Sequence, residues 1–216
     1  MAREGAPEGS WLRADAQSGG KGRNGRRWVS PPGNLHATTL VRLLPGDPHA
    51  AGLALVAAIA LHETVSGYAQ GRRLMLKWPN DLLQEGAKLA GILLERERDV
   101  VAIGFGVNLA HHPALPDRPA TSLSAIAAAA PQPDVFLNDL TGAFARWLDR
   151  WRNDGMRIIR DEWLSRAHPQ GTALSIRLPE QSLEGLFDGL DEMGSLRLRL
   201  ADGGVRVIHA GDVFLI

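Results

Sequence analysis

Apolar positions along the chain fall into three textures. From Ala50 to Leu61 they run almost unbroken, interrupted by Gly52 and closed by His62 and Glu63, which predicts a buried helix. Asp47 stands where it can cap that helix, Pro48 where a missing N–H costs least, and Gly71 follows the end. Leu53, Val56, Ala60 and Thr64 fall near one face. Short aliphatic or alternating runs surround it at Trp11–Ala14, Leu35–Leu43, Arg73–Trp78, Lys88–Arg96 and Val100–Val107. Each is bounded by Gly, Pro, Asn or Asp, and together they predict a sheet with one packed face. A second helical stretch opens at Pro133 and Asp134, repeats Phe136, Leu140, Phe144, Trp147, Leu148 and Trp151 at helical spacing, and stops at Gly155 before a shorter helix through Trp163. Burial preference assigns those aromatics to a core rather than to a cofactor. After His168 and Pro169 the texture becomes short alternating strands with turn glycines from Thr172 to Ile216, a small all-β module. The expectation is an α+β fold, a mixed sheet packed with helices over residues 1–168, followed by a β domain over 169–216.

Composition narrows the class without naming a chemistry. The 216 residues are 44% hydrophobic and 22% charged, which fits a globular chain long enough for one large and one small domain. Lys plus Arg and Asp plus Glu balance at 24 each, so no whole-protein field attracts DNA or an anionic membrane, and an anion site must be local. Absence of cysteine excludes disulfides and thiolate metal sites and suits a reducing cytoplasm. The longest apolar run falls well short of the roughly 20 residues that span a membrane.

Four stretches carry candidate chemistry. "QSGGKGRNGRRWVSPPGN" (Gln17 to Asn34) packs Lys21, Arg23, Arg26 and Arg27 among four glycines before Trp28. Such a loop can turn successive N–H groups and cationic side chains toward one phosphate or carboxylate, or it can be a solvated basic loop. It lacks the spacing and the hydroxyl of a P-loop. "LKWPNDLL" (Leu76 to Leu83) ends a strand with Lys77, and Pro79 forces a turn expected to present Asn80 and Asp81 beyond the sheet edge. "GAKLAGILLE" (Gly86 to Glu95) sets Lys88 at a strand entrance, where an ammonium aimed into an apolar pocket needs an anionic partner; a snorkelling surface lysine is the alternative. "AIGFGVNL" (Ala102 to Leu109) ends a buried strand at Asn108, with Gly104 and Gly106 permitting close approach of a ligand or backbone. His111 and His112 lack metal-ligand spacing and read as a surface loop.

Taken in this order, the four stretches resemble the biotin protein ligases, the biotin-[acetyl-CoA-carboxylase] ligases, over essentially the whole chain. The family pattern GRGRxGRxWxSPxGxNL appears as "GKGRNGRRWVSPPGN-L", KWPNDL is intact at Lys77 to Leu82, KLAGIL at Lys88 to Leu93, and GxGxN at Gly104 to Asn108. The β tail is similar to the family's SH3-like C-terminal domain, and the rest to its class II synthetase-like catalytic domain. The resemblance implies two steps: biotin's carboxylate attacks the α-phosphate of ATP to give biotinyl-5'-AMP, and a lysine of a biotin carboxyl carrier protein then takes the biotinyl group. In-line phosphoryl transfer asks chiefly for positioning and charge neutralisation, so no Ser/His/Asp triad is needed.

By the same resemblance Arg23, Lys88 and Asp81 are catalytic, and Gln17, Lys21, Gly22, Arg23 and Lys88 bind biotin. Arg23, Arg26, Trp28, Lys77, Asn80 and Asn108 serve ATP or adenylate, Trp28 covering adenine, and Asp81 holds Mg²⁺. The glycine-rich loop is expected to close over the reactive mixed anhydride. Family arginines fall where this chain has Lys21 and Asn24, which predicts a modest loss of affinity. Family members also have a helix and a Ser-Thr-Asn biotin-contacting segment before "AREGAPEG", so the chain is expected to start short, at Met1. It shows no helix-turn-helix, hence no DNA partner is expected, and a homodimer stays open. A lipoate or octanoyl ligase or transferase and a non-catalytic biotin-binding relative are the competing readings.

Overall fold

A computed structural model describes residues 5–114 and 119–216; Met1 and the rest of 1–4, where the short start was expected, lie outside the described residues. Six strands form the first sheet: β1 (Trp11–Ala14), β2 (Leu35–Arg42), β3 (Leu74–Lys77), β4 (Asp81–Gln84), β5 (Ala87–Glu97) and β6 (Val100–Val107), in the order β1-β2-β6-β5-β4-β3. Neighbouring strands run antiparallel, and isolated parallel bridges from Leu76 to Ala167 and from Lys88 to Ala120 make the sheet mixed.

Alternation decides which face is which. Ala37, Thr39 and Val41 of β2 stand opposite Phe105, Ile103 and Val101 of β6, and all are buried. Phe105 meets Phe144 edge-on at 6.0 Å between ring centroids, so this face packs on helices. The other face carries Gly91 and Leu93 of β5 beside Gly106 and Gly104 of β6. That face is the floor of the site described below.

Helix α1 (Gly52–Tyr68) is buried on every side, Leu55, Ala57 and Ile59 as well as Leu53, Val56 and Ala60. An apolar helix without a polar stripe belongs in the middle of a structure. Asp47 does not cap it: α1 begins five positions further on, and the carboxylate instead accepts the Leu44 N–H at 2.9 Å and pairs with Arg152 at 3.3 Å. Helices α2 (Leu123–Ile126), α3 (Pro133–Asp154) and α4 (Met156–Leu164) complete this part, Gly155 separating the last two with φ +80°. Phe136, Leu140, Phe144, Trp147 and Trp151 of α3 are buried and Leu148 packs against them, so the aromatic stripe is core, as its spacing predicts.

The C-terminal segment folds as five antiparallel strands, β7 (Ala173–Arg177), β8 (Ser182–Leu190), β9 (Leu196–Arg199), β10 (Val205–Ile208) and β11 (Asp212–Leu215), ordered β10-β9-β8-β7-β11. It is tied to the first sheet by the Trp78 indole N–H, which donates to the Gly194 carbonyl at 3.1 Å, and by Lys77 Nζ, which donates to the Val213 carbonyl at 3.0 Å. One predicted boundary is corrected. Asn80 and Asp81 do not project beyond the sheet: the chain turns back at once into β4, and Lys77 stands directly opposite Asp81.

Candidate functional site

The glycine-rich loop is a hairpin. Gly22 N–H donates to Arg26 O at 2.7 Å, Trp28 N–H to Gly20 O at 2.9 Å, and Lys21 faces Arg27. Its tip, Arg23–Gly25, is a single tight turn in which Asn24 takes φ +56°. Asparagine tolerates that left-handed geometry better than a long side chain does, which gives a local reason for Asn24 where the related pattern has arginine.

The hairpin lies across the glycine face of the sheet, and β11 closes the far side. Arg23 Nη1 donates to Gly211 O at 3.2 Å, and Arg26 pairs with Asp212. Between them is a cavity of about 690 Å³. All the residues assigned to catalysis or binding from the sequence line it: Gln17, Lys21, Gly22, Arg23, Arg26, Trp28, Lys77, Asn80, Asp81, Lys88 and Asn108. Six cations face it (Lys21, Arg23, Arg26, Arg27, Lys77, Lys88) against three carboxylates (Asp81, Glu95, Asp212). An excess of positive charge in a partly enclosed cleft attracts an anion that the neutral chain as a whole does not.

Asp81 is the electrostatic centre. One of its oxygens lies 2.5 Å from Lys88 Nζ and the other 3.2 Å from Lys77 Nζ. Burial alone would push its carboxyl up, but the two ammonium groups outweigh that and hold it below the usual carboxylate range. With both oxygens facing lysines, Asp81 does not fit the magnesium ligand it was expected to be; it is the counter-ion of two lysines. Lys88 therefore has the anionic partner its position called for. Burial lowers the pKa of the Arg23 guanidinium, offset in part by the field of Asp81, so this cation is only partly hydrated.

Other lining residues are also hydrogen-bonded into the framework. Asn108 donates from Nδ2 to Thr121 O at 3.0 Å, and its own N–H donates to Leu89 O at 3.0 Å, which fixes the end of β6 beside Lys88. The Asn80 amide donates to Ile92 O while Asn80 O accepts the Ile92 N–H at 3.0 Å, clamping the β3–β4 turn to β5. Gln17 accepts from Ser30 Oγ at 2.9 Å across the root of the hairpin. His112 is exposed, with Nδ1 3.0 Å from Ser122 Oγ, and among the described residues no group of three metal-ligating side chains forms.

Sequence reasoning missed the wall supplied by β11: Asp212, Val213, Phe214 and Leu215. The one local signal was an acidic residue opening an otherwise apolar strand. It also missed the seat of Trp28, whose indole lies on Gly91 and Gly106.

Residues 4–108 match the biotin/lipoate A/B protein ligase family, and residues 175–216 match the biotin protein ligase C-terminal domain. The chain is 40% identical to a biotin–[acetyl-CoA-carboxylase] ligase of Paracoccus denitrificans, over 95% of this chain and 90% of that one. It is 32% identical to the Mycobacterium tuberculosis protein of the same name, over 95% and 79%. Among solved structures, the biotin protein ligase of Aquifex aeolicus in complex with biotin and ATP superposes with a TM-score of 0.84 at 25% identity, covering 98% of this chain and 90% of that one. No described helix is long and apolar enough to cross a membrane.

Proposed function

The chain belongs to the biotin/lipoate A/B protein ligase family, and from that premise we propose that it is an ATP-dependent biotin protein ligase acting on a biotin carboxyl carrier protein of a biotin-dependent carboxylase. One observation carries this reading: four motifs scattered over 92 positions, from Gln17 to Asn108, converge with the C-terminal strand on one cationic cavity.

Biotin's carboxylate is the nucleophile. It attacks the α-phosphorus of ATP, pyrophosphate leaves, and biotinyl-5'-AMP remains. The ε-amine of the carrier lysine then attacks the acyl carbon, the amine loses a proton, and AMP leaves. Lys88 holds the carboxylate, exchanging part of its pairing with Asp81 for the ligand. Arg23 neutralises charge where carboxylate and α-phosphate meet, its partial desolvation strengthening that contact. Gln17, Lys21 and Gly22 frame biotin from the hairpin. Lys77, Arg26 and Trp28 serve the nucleotide, and Asn80 and Asn108 act by holding the strand ends from which Lys77 and Lys88 project. Magnesium belongs in this reading with the phosphates of ATP rather than on Asp81. Residues 1–168 form the catalytic domain and 169–216 the β domain; the setting is the cytoplasm, with neither DNA nor membrane as partner.

Purified protein with biotin, ATP and Mg²⁺ is expected to label a carboxylase carrier domain, read by avidin blot and by intact mass. Absence of label refutes the reading, and labelling with lipoate in place of biotin moves the chain to the other branch of its family.

A further inference from the structure

Lys88 lies at one end of a bare patch. Gly91 of β5 and Gly106 of β6 are register partners on the same face, so two adjacent strands present backbone there and no side chain. A flat apolar body can lie on such a patch at van der Waals distance, and Trp28 does. A methyl group at Gly106 would come within 2.5 Å of the indole, and one at Gly91 within 3.4 Å of it. The Lys88 ammonium is 5.5 Å from the ring centroid, within cation–π range.

The seat is incomplete in one respect. Trp28 Nε1 is buried and has no hydrogen-bond partner among the described residues, whereas Trp78, which lines the same cavity, donates to Gly194 O. Leaving a buried donor without a protein acceptor disfavours the arrangement that buries it. Trp28 also sits at the base of the hairpin, on a segment rich in glycine rather than in a helix or a long strand. The indole thus holds a flat floor beside Lys88 while keeping a reason to leave it.

We propose that Trp28 is a displaceable occupant of the biotin seat: its indole covers the Gly91–Gly106 floor, and biotin, anchored by its carboxylate at Lys88, enters by expelling it. This rests on the ligase reading above. The released indole is then free to fold over the adenylate, so the residue that guards the empty seat becomes part of the cover on the product. Affinity for biotin is reduced by the fraction of molecules in which the floor is open, so an indole seated about nine-tenths of the time weakens apparent binding about tenfold.

The test uses the whole chain and biotin alone, without nucleotide, so that contacts of Trp28 to adenine do not enter. Trp28→Ala is expected to bind biotin about tenfold more tightly than the parent, with faster association in stopped flow. Equal or weaker binding with no faster association overturns the proposal and makes the indole part of the biotin seat. Binding by neither protein overturns it together with the ligase reading. A second measurement is independent of affinity. In protein labelled with 5-fluorotryptophan, the ¹⁹F resonance missing from Trp28→Phe is expected to shift more than the other five on adding biotin; a Trp28 resonance that stays in place overturns the proposal.

Discussion

Asp81→Asn keeps the shape of the side chain and removes the charge that two lysines share. The Asp81 side chain is 13% exposed, Lys77 18% and Lys88 34%. Removing one partner of a fully buried ion pair costs about 3–5 kcal/mol, mostly because a charge is left without compensation. Lys88 is open to water over a third of its surface, so the expected cost is smaller, about 2–3 kcal/mol. For a chain of this length that lowers the unfolding midpoint by about 5–10 °C. Biotin supplies a replacement anion for Lys88, so it should narrow the gap, raising the midpoint of the variant more than that of the parent. Turnover should still fall about 100-fold or more, because the two lysines no longer hold a common position. Thermal unfolding with and without biotin, alongside carrier labelling, reads all three effects. An unchanged midpoint with biotin absent would show that Asp81 does not neutralise the two lysines, and the electrostatic account of the site would fail.

Arg23→Gly removes a half-buried side chain whose protein partner is the Gly211 carbonyl, so stability should stay within about 0.5 kcal/mol of the parent while bound adenylate escapes faster. Adenylate retention on a filter equal to that of the parent contradicts the role given to Arg23. Gly106→Ala made in the Trp28→Ala background, where no indole is there to be expelled, places a methyl group on the proposed biotin floor; at about 1–3 kcal/mol for an overpacked contact, biotin affinity should fall about tenfold or more relative to Trp28→Ala, and titration calorimetry showing undiminished affinity would move biotin off this floor. His168 is buried against Phe187, 4.3 Å between ring centroids, and burial brings its pKa down to about 4. Above pH 6.5 both folded and unfolded chains hold the ring neutral. As pH falls below 6.5 the unfolded chain takes the proton and the folded one refuses it until about pH 4, so stability drops across that window by up to roughly 3 kcal/mol. His62, also brought to about 4 chiefly by burial, adds to the same slope. His168→Leu should flatten its share in denaturant titrations at pH 4.5 and 7, and an unchanged slope would remove His168 from the account. The Asp81 contribution lies in a separate window, because its lowered carboxyl loses its effect only as pH falls below about 3.8.

What could be read along the chain was what neighbours in sequence decide. The spacing from Phe136 to Trp151 marks one face of α3, and alternation marks β2 and β6, because periodicity alone determines which side chains share a face. The motif residues were legible for the same reason: each group is contiguous and sits at a strand end or in one hairpin. β4 was missed because its four residues gain strand character from partners on both sides, β3 and β5, rather than from their own composition. Asp47 was misread because a capping residue acts only at the first turn, and local propensity does not say where that turn begins. The largest omission was the wall from β11. Arg23 and its acceptor Gly211 are 188 positions apart, and no pattern within either segment states that they meet.

That omission changes the chemistry assigned to the site. Without β11 the hairpin is an open basic loop, and its cations are screened by water as any surface charges are. With Asp212 pairing Arg26, and the Val213 carbonyl holding Lys77, the loop is drawn against a second sheet and the space between is narrowed. A mixed anhydride survives only where water is kept from it, so the domain that carries none of the expected catalytic residues supplies the enclosure those residues need.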